Sequence, residues 1–188
     1  CDMKQVSIRK NYALLHENGK IHYPFTKFLT DRFTNPSTQE LVAQSLRVLY
    51  RFCKAHQIEL AFRATEGRCL SYDEAKKLGE LCYRPIPEIE AMGDKKVIFL
   101  TSPKAGHAPK ELPGAVEPNT ASKRMNHIAL YLTFYREVFL EPNIRSTTTR
   151  EQLKNEFEKI TQQLKRTIRG TKQNHHLSIR SLPTDKYL

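Results

Sequence analysis

Three stretches of the 188-residue chain carry apolar residues at helical spacing, and that period limits the fold more than any other feature. Met125, Ile128, Leu132, Tyr135 and Phe139 recur at alternating intervals of three and four, which sets all five on one side of a helix. Val42, Leu46, Leu49 and Cys53 repeat the pattern from Ser37 to about His56, with Leu41, Val48 and Phe52 widening the stripe. Leu153, Phe157, Ile160, Leu164 and Ile168 mark a further helix from Thr148 to about Arg169, with Lys165, Arg166 and Arg169 in its last turns and Gly170 as its cap. A shorter helix is expected from Ser71 to about Tyr83, burying Ala75, Leu78, Leu81 and Cys82 and stopped by Pro85 and Pro87. The chain should therefore be mainly α.

The one β signal is Asn18-Gly19, which tolerates the positive φ of a tight turn and predicts a small hairpin over residues 11–23. Phe25, Phe28, Leu29 and Phe33 would pack that hairpin onto the helical body. Residues 85–118 hold six of the ten prolines and one apolar run, KKVIFL, and are expected as a long connection with room for one strand. The segment GHAPKELPG lacks the strand, GK[ST] and helix that a phosphate-binding loop requires. Expected units are residues 1–35, hairpin and packing segment, and residues 36–170, a helical domain with an insertion at 85–118.

Helix starts carry one anomaly. Ser37 with Glu40, Ser71 with Glu74 and Thr148 with Glu151 each read as a capping box, hydroxyl and carboxylate satisfying free backbone N–H groups. Thr120 reads as the cap of the helix that follows, but Lys123 stands where the acid belongs. On that reading Lys123 and Arg124 sit in a first turn, where the helix dipole repels cations, and an outside anion is one explanation.

Charge strengthens that explanation. The net charge is +11, and residues 119–188 contribute thirteen cations against six acids, whereas residues 85–118 have four cations against five acids. An acidic partner follows, nucleic acid before an anionic membrane surface. No apolar run approaches the roughly 18 residues that span a bilayer. Cys1, Cys53, Cys69 and Cys82 show no metal spacing and no secretory leader is visible, so the expectation is reduced thiols in a cytoplasmic protein with no metal and no cofactor. His175-His176 lacks a second pair of ligands, and no nucleophile–base pattern stands out.

Two helices present polar faces suited to DNA: Gln44, Arg47, Arg51 and Lys54 on one, Ser122, Lys123, Asn126 and His127 on the other. With them, STQELVAQSLRVLYRFCKAHQIEL and NTASKRMNHIALYLTFYREVFL resemble the N-terminal, core-binding region of tyrosine recombinases, the phage-integrase family, and the closing RSLPTDKYL resembles the linker into that family's catalytic domain. The resemblance covers roughly residues 25–188, and the 85–118 insertion departs from it. It implies a SAM-like bundle of about four helices that holds one face of double-stranded DNA, with residues 171–188 as the linker and the catalytic arginines, lysine, histidines and tyrosine nucleophile in a domain outside this chain. His176, Arg180 and Tyr187 do not fit the family's catalytic spacing and are assigned no such role.

The expected contacts are Arg47, Arg51 and Lys54 on the first helix and Ser122, Lys123, Arg124, Asn126 and His127 on the third. Cations would neutralise phosphates, and Asn126 would read an adenine edge. The chain itself is expected to be non-catalytic and monomeric alone, and to assemble on DNA within a longer recombinase. The competing reading is a stand-alone DNA-binding regulator or nucleoid protein. An RNA-binding module would need an aromatic RNP strand or a GxxG loop, and neither is visible.

Overall fold

A computed structural model describes residues 4–8, 11–15, 20–91 and 114–166, the first two segments as backbone only. In chain order these are strands β1 (Lys4–Ile8) and β2 (Asn11–Leu15), then helices α1 (Tyr23–Arg32), α2 (Pro36–Ala55), α3 (Leu60–Thr65), α4 (Tyr72–Leu81), α5 (Ile86–Ala91), α6 (Pro118–Tyr135) and α7 (Thr147–Arg166). A π-helical turn, Arg136–Leu140, and a 3-10 turn, Glu141–Asn143, link the last two. The described residues are mainly helical.

The helical period places α6 at the centre, packed against α2 on one side and α7 on another, with α4 resting on α7. Leu46, Leu49 and Phe52 of α2, Met125, Ile128 and Leu132 of α6, and Leu153, Phe157 and Leu164 of α7 are all buried in one core. Phe28 of α1 joins them, its ring 5.4 Å from Tyr131 and 5.1 Å from Phe134. Leu41, expected in the α2 stripe, is instead 51% exposed.

β1 and β2 pair antiparallel from Lys4 opposite Leu15 to Ile8 opposite Asn11, and β2 lies against α1 and α2. β2 thus falls within the span expected for a hairpin, residues 11–23, but its partner β1 lies upstream of that span. Asn18 and Gly19 fall outside the described residues, as do the KKVIFL run, Ile168, Gly170 and residues 171–188.

Proline moves several helix starts. Asn35, not Ser37, caps α2, its side chain accepting from Ser37 N at 2.9 Å and Thr38 N at 3.3 Å, with Pro36 as the first helical residue. The fixed φ of proline suits that position and its missing N–H costs nothing there. Pro118 likewise begins α6, so Thr120 lies inside the helix and Lys123 and Arg124 fall in the second turn. Ser146, not Thr148, caps α7, accepting from Thr149 N at 3.2 Å. The box of Ser71 and Glu74 at α4 is present as expected. Pro85 and Pro87, read as a stop, flank the start of α5 for the same reason as Pro36 and Pro118.

α2 ends in a Schellman motif: Ile58 N–H donates to Cys53 O at 2.8 Å and Gln57 N–H to Lys54 O at 3.2 Å. Gln57 occupies the left-handed position that glycine favours, at φ 52°. The same motif at the end of α3 has Gly67 at φ 70°, where a Cβ would lie 3.2 Å from Gln152 of α7.

Candidate nucleic-acid interface

α6 buries Met125, Ile128, Ala129 and Leu132, which turns Lys123, Asn126 and Leu130 outward. These three residues lie at intervals of three and four, so they form one exposed stripe that presents a cation, a carboxamide and an isobutyl group. Ser122 lies half-buried on one flank. His127 lies half-buried on the other, toward α2, where its Nδ1 is 3.0 Å from Ser45 Oγ. Burial, with Lys123 next in importance, lowers the His127 pKa below its ordinary value. The edge of Phe33 closes the third side, 6.5 Å from the imidazole, and Leu41 of α2 is exposed beside Ser45.

Arg124 does not share this stripe. It is buried, and its Nη1 donates to Cys82 O at 3.0 Å and to Arg84 O at 2.5 Å. Those carbonyls lie at and just beyond the end of α4, so the guanidinium satisfies acceptors that the helix itself leaves open. Burial lowers its pKa, while Cys82 nearby acts in the opposite direction. The cation beside Lys123 therefore serves the fold.

The basic side of α2 also turns inward. Arg47 forms an ion pair with the Glu90 carboxylate on α5, and Arg51, buried, donates to the Glu90 carbonyl at 2.6 Å. Helical spacing places both arginines on the same side of α2, and α5 covers that side. Lys54 stands one turn further on, at the rim of a cleft of about 320 Å³ with His22, Tyr50, Tyr131 and Tyr135. Of the eight residues expected at DNA, the structure gathers Ser122, Lys123, Asn126 and His127 into one surface and separates Arg47, Arg51, Lys54 and Arg124 from it.

Leu130, Leu41 and Ser45 were absent from the expected site. Leu130 was legible, since it lies outside the apolar spacing of α6. Ser45 was not, because only the crossing of α2 and α6 brings it to His127.

Other chemistry is sparse. Burial pushes the Cys53, Cys69 and Cys82 thiols up to about 12, which leaves them protonated and weakly nucleophilic at neutral pH. Among the described residues no group of His, Cys, Asp and Glu is placed to hold a metal, and no helix is long and apolar enough to cross a membrane. No family model, curated protein or solved structure matches the chain.

Proposed function

We propose that the chain is a sequence-specific, double-stranded DNA-binding unit, a SAM-like helical bundle from the core-binding region of a tyrosine recombinase. The observation that carries this reading is the outer stripe of α6. Lys123, Asn126 and Leu130 are exposed together on a helix whose other sides are fixed by α2 and α7, and His127 adjoins them. A rigid helix with a cation, an amide and an aliphatic group in line suits the major groove: lysine meets phosphate, asparagine meets adenine N6 and N7, and leucine meets a thymine methyl. The net charge of +11 supplies the long-range attraction. Compared with the sequence reading, the contact surface narrows to α6 and its border with α2.

Binding to duplex DNA at several salt concentrations tests the proposal. Log affinity should fall linearly with log salt, by about 0.9 per phosphate neutralised. Affinity indifferent to salt would overturn it. The recombinase assignment further expects the isolated chain to be monomeric and to form no covalent adduct with DNA. A stable dimer that binds a palindromic site would favour the stand-alone regulator.

A further inference from the structure

Ser45 is buried where α2 crosses α6, and its hydroxyl has two neighbours at the same distance: the Leu41 carbonyl and His127 Nδ1, both 3.0 Å away. A hydroxyl carries one proton, and a carbonyl oxygen only accepts. Both contacts are hydrogen bonds in one arrangement alone. Ser45 donates to Leu41 O, and its oxygen accepts from a proton on His127 Nδ1. The alternative, Ser45 donating to the imidazole, leaves the Leu41 contact without a proton.

That arrangement fixes the tautomer. A neutral imidazole protonated at Nδ1 has a bare lone pair at Nε2. Nε2 of His127 has no hydrogen-bond partner among the described residues, yet it is not among the buried polar atoms that lack one, so solvent reaches it. The ring is held by Ser45 on α2 and by Phe33 beyond α1, and beside it on α6 stand Lys123, Asn126 and Leu130. Lys123 is the charged group that acts on the ring, and it opposes a second positive charge there. The surface thus presents a fixed acceptor between an amide and two exposed leucines.

We propose that His127 is a specificity-determining residue that accepts, through Nε2, a hydrogen bond from the exocyclic amino group of a base, adenine N6 or cytosine N4, with Ser45 as its positioning residue. This inference rests on the DNA-binding reading of α6. In the major groove those amino groups are donors, whereas guanine offers only the acceptors N7 and O6. A lone pair facing guanine is repelled, so the acceptor selects adenine or cytosine and rejects guanine at one position.

Two measurements test it. In the free protein, two-bond 1H–15N correlation of the histidine rings should show His127 with its proton on Nδ1, and Ser45→Ala should shift the balance toward the Nε2–H form. A wild-type ring protonated at Nε2 overturns the inference without touching the DNA reading. Selection from a random duplex pool should then yield a motif with adenine or cytosine at one position, disfavouring guanine there by at least about fivefold, the lower end for a good base contact. His127→Arg, which only donates, should switch that position to guanine and leave the rest of the motif in place. His127→Gln, which retains an acceptor, should keep adenine or cytosine there. A motif unchanged in His127→Arg overturns the inference alone. A chain that retains no duplex overturns it together with the function on which it rests.

Discussion

Arg124 Nη1 donates to the carbonyl oxygen of Cys82 at 3.0 Å, joining the second turn of α6 to the end of α4 across 42 residues of sequence. A cation that looked misplaced at a helix start is a cap for another helix's end. Replacing it with alanine leaves the carbonyls of Cys82 and Arg84 without a donor in a buried setting. Arg124→Ala should cost about 1.5–3 kcal/mol, the range for hydrogen bonds to charged groups, measured by urea denaturation. DNA affinity of the folded protein should stay within about twofold. A stability change below about 0.5 kcal/mol, the range of ordinary surface substitutions, together with a large loss of affinity, would return Arg124 to the interface.

Arg47 and Glu90 make a sharper comparison, because the sequence placed Arg47 at DNA and the structure pairs it with α5. Both side chains are partly exposed, so a double-mutant cycle should give a coupling of no more than about 1 kcal/mol. Glu90→Gln and Arg47→Ala should loosen α5, seen as faster amide exchange in residues 86–91, and should leave salt-dependent DNA binding unchanged. A severalfold loss of affinity in Arg47→Ala with exchange unaltered would reinstate the α2 face.

These two arginines show what the sequence made legible and what it did not. Periodicity reports which side of a helix faces its own core, and on that basis α2, α4, α6 and α7 and the buried positions Met125, Ile128, Leu132, Leu153, Phe157 and Ile160 were all readable. It does not report whether a short neighbour covers the other side. Arg47 and Arg51 are covered by α5, a six-residue helix too short to show a period of its own and opened by prolines that read as breakers. Cap placement failed for a related reason: Asn35-Pro36 and Pro118 start helices earlier than the Ser or Thr that pattern matching selects. The outer stripe at Lys123 and Asn126, with His127 on its flank, was legible because it follows from the period alone.

Gln57 provides a test of the backbone. It sits at φ 52° in the left-handed position of the α2 terminus, where its Cβ is strained and glycine's absence of one is an advantage. The residue is exposed, so little packing is lost on truncation. Gln57→Gly should raise stability by about 0.5–1 kcal/mol, the relief of strain exceeding the added freedom of the unfolded chain. A decrease on urea titration would mean that the Gln57 side chain contributes more than its conformation costs.

Lys123→Glu separates the two readings of the α6 start. If Thr120 were the cap, glutamate at 123 would complete a capping box and stabilise the helix; with Pro118 as the first residue there is no box to complete. Stability at pH 7 should therefore move by less than about 0.5 kcal/mol, as at other exposed sites. DNA affinity should fall by at least about tenfold, since an attractive charge is exchanged for a repulsive one beside a phosphate. The same change reaches His127. Lys123 helps to hold the imidazole below its ordinary pKa of 6.5, so the folded state binds that proton less tightly than the unfolded chain. The sign follows: His127 contributes stability above pH 6.5 that is lost as pH falls through the lower folded value. With glutamate at 123 the folded pKa rises, and stability should decline less between pH 7 and pH 5 than in the wild type. A steeper decline, or an unchanged His127 titration followed by NMR, would show that Lys123 does not act on this ring.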